Sequence, residues 1–291
     1  MFDKLKGPLY LSLAAGIWGG MYVASKYALN TIPPFTLLFI RYLLASFILL
    51  VLCKWRGIPI LTREDKGLLF QIGFFGYFLS IATQFLGTKL SSAHMGAVIT
   101  SLSPVFQSIF AILILKEKIT PKQATAIGIS LFGMLLVTDG AGTWTGILNR
   151  GNAFFLLAAC FWGYYSVLVK KAAERHSELQ ITTLGILWAT LFAFPVVFTE
   201  SHSWDFRIAF QSVTIMGSVL YISIFATTIA FLCWNKGLAM TSPHKGGLFF
   251  FFQPVVGSLL GWFILGETLT VAFILGGILV LGGVYFAMRS A

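Results

Sequence analysis

Charge is scarce in this sequence. Asp, Glu, Lys and Arg make up 10% of its 291 residues, whereas a soluble domain carries about 25%, so water is not the solvent that covers most of this chain. Acids are the scarcer sign, with 10 Asp and Glu against 20 Lys and Arg, and none falls in the central part of a long apolar run. Exporters of organic cations usually hold a membrane-embedded acid that neutralises the cargo and exchanges it for protons. Its absence turns the reading toward neutral or zwitterionic solutes and leaves proton coupling unsupported. Three cysteines, Cys53, Cys160 and Cys233, stand far apart with no CxxC spacing and no neighbouring His or acid, so they read as small core residues and no metal site is expected. No Walker sequence is present to couple ATP, and no nucleophile, acid pair or metal cluster faces a common water-accessible place. No enzyme activity and no cofactor are therefore expected.

What is abundant is apolar: 57% of residues are hydrophobic, 29 are Phe, and the mean hydropathy is +0.87. The net charge of +10 does not point to nucleic acid, because the Lys and Arg residues are scattered in short gaps between apolar runs instead of lining one surface. The partner implied is the lipid bilayer. A spanning helix needs about 20 mainly apolar residues. Candidates fall at 8–29, 33–53, 67–88, 92–115, 122–140, 152–172, 180–199, 211–235, 244–265 and 270–288. Continuous apolar runs without alternation favour helices over barrel strands. The first run follows Lys4 and Lys6 but continues through Trp18 and Tyr22, too long for a signal-peptide core, and is kept as a helix.

The chain also repeats itself. Ser92, His94, Gly96, Pro104, Val105, Ser108, Ile114, Leu115, Glu117 and Thr120 all recur, without a gap, in residues 242–270. Apolar composition does not place a His, a Pro and a Glu at the same spacings twice. Trp18-Gly19 with Lys26 likewise returns as Trp162-Gly163 with Lys170, and Gly87 and Gly133 return as Gly237 and Gly283. The fold expected is an all-α membrane protein of ten transmembrane helices built from two five-helix repeats, 1–145 and 146–291. Five crossings is an odd number, so the second copy enters the membrane from the opposite side. Such inverted repeats suit alternating access around a midplane site, whereas a channel needs a ring of like residues around a symmetric pore.

Orientation follows from the basic residues. Counted by alternate gaps, 15 Lys and Arg fall on one side, among them Lys54, Arg56, Lys116 and Lys171, and 4 on the other, with Arg41 inside a span. Both termini are expected to be cytoplasmic.

Five-helix halves whose fourth helix carries Pro and ends in Glu-x-x-Thr, as in Ser103-Pro104 to Glu117 and Gln253-Pro254 to Glu267, resemble the EamA branch of the drug/metabolite transporter superfamily. Trp18-Gly19 in the first helix and the Pro33-Pro34 to Arg41 spacing in the second add to the likeness, which covers the whole chain. The resemblance implies a ten-helix transporter, usually an inner-membrane exporter in bacteria. Its cavity would be lined mainly by the first, third and fourth helices and by the sixth, eighth and ninth. The branch exports amino acids, nucleobases and other small metabolites, and the reading adopted is a secondary exporter of amino acids, hydrophobic or aromatic ones included. Nucleobases, nucleosides or other small metabolites are the alternative cargo, and a membrane receptor that binds solute without moving it is a further alternative. Arg41 has no basic counterpart in the seventh helix, so the halves are not chemically equivalent.

The candidate substrate-binding residues are Trp18, Tyr22, Tyr77, Ser80, Gln84, His94, Ser101, Trp162, Tyr165, Tyr221, Trp234 and His244. A mostly apolar pocket with a few hydroxyls and amides suits a small amphipathic solute, although such aromatic stripes also serve helix packing and interface belts. Candidate structural or gating residues are Pro104, Pro254, Arg41, Glu117 and Glu267. The two prolines are expected in mid-helix, kinking it. The two glutamates are expected at helix ends on opposite surfaces. Arg41 either grips a carboxylate or snorkels outward to bond helix-end carbonyls, and the second reading is the one favoured. His94 and His244 read as interfacial polar groups more readily than as proton relays. Gly276, Gly277, Gly282 and Gly283 on the last helix offer a dimer seam, so a monomer or weak homodimer is expected.

Overall fold

The computed structural model describes residues 2–60, 64–91, 96, 99–137, 150–200, 211–265 and 271–289. Among the described residues there are ten helical segments and no strand, and the fold is that of an all-α membrane protein. The first half holds α1 (Phe2–Leu29), α2 (Pro34–Trp55), α3 (Lys66–Leu90), α4 (Ser103–Leu115) and α5 (Pro121–Val137). The second holds α6 (Arg150–Ala172), α7 (Glu178–Glu200), α8 (Val213–Met240), α9 (Pro243–Leu248, Phe249–Phe251 and Phe252–Leu265) and α10 (Val271–Arg289). α2, α3, α6, α7 and α8 are each long and apolar enough to cross a bilayer by length and composition.

Local chemistry sets the ends of these helices. Pro33 is extended and Pro34 opens α2, where a missing N–H costs nothing. The Ser212 hydroxyl caps α8 by accepting from the Ile215 amide at 3.4 Å. Lys116 takes the left-handed conformation, with φ of 55°, and ends α4, and Pro121 then starts α5.

The principal contacts obey an exchange symmetry. α1 packs on α8 and α9, while α6, its repeat partner, packs on α3 and α4. α2 packs on α7 and α8, and α7 packs on α2 and α3. α5 pairs with α10. Every one of these contacts maps onto another when the halves trade places, as two copies related by a twofold axis require. Repeated glycines sit at the closest approaches. A Cβ on Gly19 would lie 2.9 Å from the Gln253 carbonyl oxygen of α9, and one on Gly163 would lie 2.6 Å from the Gln107 nitrogen of α4. A Cβ on Gly133 would lie 2.7 Å from the Gly276 carbonyl oxygen and one on Gly283 would run into Ser130, so α5 and α10 use these glycines within the chain. Gly276 and Gly283 therefore serve an internal contact, while a Cβ on Gly277 or Gly282 would meet nothing within 4 Å.

Two features of the helices differ from the sequence reading. Pro104 does not kink a continuous helix: a turn at Ser101 and Leu102 precedes it, and α4 restarts at Ser103 with Pro in its first turn. The reason is local. Pro104 has no N–H to give the carbonyl four residues back, and the Ser103 hydroxyl donates to that Thr100 carbonyl instead, at 2.6 Å. Pro254 likewise follows an irregular stretch, the 3₁₀ segment Phe249–Phe251, at the equivalent place in the second half. The other feature is π-helix in the third helix of each half, at Ile72–Leu79 in α3 and Tyr221–Ile229 in α8. Such stretches are rare and concentrate at functional sites.

Gly163→Ala is expected to reduce the yield of monodisperse protein in detergent and to lower its thermal midpoint, because backbone atoms of α4 have no room to withdraw. Gly217→Ala, where nothing lies within 4 Å, is expected to leave the midpoint unchanged or raised, by up to about 1 kcal/mol of helix propensity. Size-exclusion chromatography with thermal unfolding of both variants checks the pair.

Candidate functional site

Helices of both halves meet at one place. Trp18 of α1 meets Trp162 of α6 edge-on, with ring centroids 5.0 Å apart, and Trp234 of α8 at 5.3 Å. Phe231 lies 5.4 Å from Trp18, and Phe250, inside the 3₁₀ segment of α9, lies 5.5 Å from Trp162. These rings form a cage around a cavity of about 20 Å³ lined by Trp18, Met21, Arg41, Ile81, Gln84, Trp162, Phe231, Phe250 and Gln253. That is room for about one water molecule, so a solute enters only as the helices part. The walls come from α1, α2, α3, α6, α8 and α9, which adds α2 to the expected set and omits α4.

The π-helical stretches supply the backbone contacts of the cage. A wider turn leaves a carbonyl free to face a neighbour. In α8 the Ala226 carbonyl accepts from Trp18 Nε1 at 2.8 Å, and in α3 the Tyr77 carbonyl accepts from the Tyr42 hydroxyl at 2.6 Å. Thr227, on the same α8 stretch, donates to the Ile222 carbonyl and accepts from Arg41 Nε at 2.8 Å.

Beside the cage lies a buried polar network. Tyr165 donates to Asn235 Oδ1 at 2.6 Å, Asn235 Nδ2 donates to the Tyr77 hydroxyl and to Thr182 Oγ1 at 2.8 Å each, and the two phenol oxygens are 3.1 Å apart. Glycines make room for it: Gly76 lies under the Tyr165 ring and Gly185 under the Tyr77 ring. The network ties α3, α6, α7 and α8 together.

Arg41 does not snorkel outward. It is fully buried, and besides Thr227 its Nη1 touches Met21 Sδ at 3.7 Å. The guanidinium carbon lies 5.3 Å from the Tyr42 ring centre and 5.5 Å from that of Phe85. No carboxylate pairs with it among the described residues, and Nη2 has no partner. A charge placed so deep costs about 3 kcal/mol on insertion scales, offset in part by about 1 kcal/mol for each ring it faces.

The other candidates divide. Ser80 donates to the Ala158 carbonyl at 3.2 Å and holds α3 to α6. Tyr221 donates to the Ile17 carbonyl at 2.7 Å and stacks on Phe225, apart from the cavity lining. Ser101 is buried at the break in α4. His244 is buried and lies 3.9 Å from Glu117, and Lys170 acts electrostatically on that carboxyl. Burial raises the Glu117 carboxyl above the ordinary carboxylate range while Lys170 opposes the shift. Glu117, His244 and Lys170 are thus neighbours at the end of the bundle away from the cage. Their repeat counterparts His94 and Glu267 lie outside the described residues, and Tyr22 is described in its backbone alone. Residues that the sequence reading missed are Met21, Tyr42, Thr182, Thr227, Phe231, Asn235, Phe250 and Gln253. Asn235 and Gln253 carried a signal, being amides inside otherwise apolar runs. The phenylalanines carried none among 29.

Comparison with known proteins adds four findings. The model of the EamA-like transporter family matches twice, over residues 5–139 and 149–289. The uncharacterized transporter YetK of Bacillus subtilis (strain 168) is 29% identical over 283 residues, covering 95% of this chain and 85% of that one. A probable amino-acid metabolite efflux pump of Salmonella typhimurium is 24% identical over 279 residues, covering 94% and 91%. A solved crystal structure 18% identical in sequence superposes with a TM-score of 0.79 over 97% of this chain and 96% of its own, a likeness of fold.

Asn235→Leu is expected to lower the thermal midpoint, because it removes the amide that accepts from Tyr165 and donates to Tyr77 and Thr182. The cost is about 1–2 kcal/mol, the upper part of the range for interhelical hydrogen bonds. Tyr165→Phe, which removes one donor and leaves the amide two partners, is expected to cost less. Thermal unfolding in detergent reads both.

Proposed function

The chain belongs to the EamA-like transporter family, and from that premise we propose that it is a secondary carrier that exports amino acids, hydrophobic or aromatic ones among them, by alternating access between its halves 1–145 and 146–291. The single observation that carries this reading is the aromatic cage, lined by helices of both halves, with Phe250 from the 3₁₀ break of α9 and with Ile81 and Phe231 just past the π-helical stretches of α3 and α8. Broken helices around a central site are the parts that alternating access uses. Tryptophan faces suit the side chain of an apolar or aromatic solute. The name of the Salmonella typhimurium relative agrees with the amino-acid reading. A planar nucleobase fits the rings as well and is the second reading.

The excess of Lys and Arg in alternate gaps supports an orientation with both termini in the cytoplasm, in what we take to be a bacterial-type inner membrane. The monomer already holds every helix that lines the cage, so we take it as the transporting unit.

In proteoliposomes loaded with unlabelled amino acid, the wild-type protein is expected to accumulate the labelled form by counterflow. Trp162→Ala is expected to reduce the initial rate about tenfold, as loss of one stacking wall worth about 1–1.5 kcal/mol implies. Binding without flux would make the protein a receptor, and flux without saturation would make it a channel. For orientation, single cysteines at the exposed positions Trp55 and Leu90, in a protein lacking Cys53, Cys160 and Cys233, are to be labelled with an impermeant maleimide on intact cells. Label at 90 and none at 55 is expected, and the reverse pattern inverts the topology.

A further inference from the structure

We propose that Arg41 fixes the chemical class of the cargo: a solute with a free carboxylate, for which an amino group is dispensable. This deepens the carrier reading and rests on it. The cage contains buried donors with nothing to donate to. Arg41 Nη2 and Trp162 Nε1, on residues that line the cavity, lack a hydrogen-bond partner, as does Nε1 of Trp234, whose ring packs behind Trp162 at 5.9 Å, and each is a group that donates and cannot accept. A buried donor left unmatched is costly, and two of them on the lining of one cavity ask for an acceptor. Arg41 adds a full positive charge with no paired acid among the described residues, so the acceptor that fits is anionic.

The guanidinium is also held in place before any solute arrives. Nε is fixed by Thr227 at 2.8 Å, Nη1 touches Met21, and the rings of Tyr42 and Phe85 lie 5.3 and 5.5 Å from its centre. A fixed planar fork matches a carboxylate better than a flexible ammonium does. The rest of the lining is neutral: Trp and Phe faces take the apolar body, and Gln84 and Gln253 are amides. Among the described residues no acid lines the cavity to hold a substrate ammonium. An amino acid and its deaminated acid therefore share the recognised group, whereas an amine or an amide lacks it.

The test uses the full chain in proteoliposomes loaded with L-phenylalanine, counterflow of labelled L-phenylalanine being the readout. Phenylpyruvate and phenylacetate are expected to compete about as well as unlabelled phenylalanine, and L-phenylalaninamide and phenylethylamine at least about tenfold less well. Arg41→Met is expected to raise the inhibitory concentrations of the acids about 10- to 100-fold, the loss of one charge-assisted hydrogen-bonded contact, and Arg41→Lys to fall between. The thermal midpoint of Arg41→Met is expected to hold or rise, since an unpaired buried cation has been replaced by an apolar side chain. The inference is overturned if the amide or amine competes like the acids, or if Arg41→Met responds to the acids as wild type does. A variant that folds poorly yet keeps normal acid competition assigns Arg41 to packing and also overturns it. If wild-type vesicles exchange no phenylalanine, thermal shifts in detergent decide. Stabilisation by the acids and not by the amide or amine upholds the carboxylate site while the carrier reading falls, and no stabilisation by any acid overturns the inference.

Discussion

Inside hydrocarbon a backbone N–H or C=O has no water to turn to, so every departure from regular helix must be repaired by another part of the protein. This chain departs in both halves, through the breaks in α4 and α9 and the π-helical stretches of α3 and α8. The repairs are specific. Ser103 takes over the carbonyl that Pro104 cannot serve, Tyr42 donates to the Tyr77 carbonyl, and Trp18 donates to the Ala226 carbonyl. Two of the three cross between helices, and one crosses between halves. The cage is therefore a consequence of the repairs as much as of ring packing: the same contacts that complete the backbone bring Trp18 against α8 and Tyr42 against α3.

Close approach of helices is the second condition, and small residues set it. In a bilayer, helix association depends on packing and on polar contacts, because lipid tails are as apolar as the side chains. Gly19 and Gly163 let α1 meet α9 and α6 meet α4, in the same way in each half. Gly76 and Gly185 do a different job, giving the Tyr165 and Tyr77 rings the space that lets their hydroxyls reach Asn235. The two halves thus share a frame but not a chemistry. Arg41 and Asn235 have no repeat counterpart of their kind, and both sit beside the cage.

Much of the frame was legible in the residues. The recurrence of His, Pro and Glu at one spacing identified the duplication, and Trp18-Gly19 against Trp162-Gly163 pointed to the pair of helices whose tryptophans now touch. Other parts were not legible. Periodicity says which residues share a face, yet an inserted residue that widens a helix leaves the pattern of an apolar run unchanged, so the π-helical stretches had no signature. The sequence also misplaced Arg41. Eight residues past Pro33, in a run without acids, it reads as a side chain able to reach the interface. What it meets instead, Thr227 of α8 and Phe85 of α3, lies far along the chain.

The sequence by itself determined the solvent, the helix count and the duplication, because these follow from composition, run length and recurrence, which are properties of the chain read in order. Only the tertiary structure decided which side chains face one another, that Arg41 turns inward without an acid, that Phe231 and Phe250 close the cage while Tyr221 stays outside it, and that Asn235 joins two tyrosines. Those outcomes depend on the rotation of each helix about its own axis and on its nearest neighbours, and an apolar helix in lipid gives little hint of either, since almost any face of it tolerates hydrocarbon.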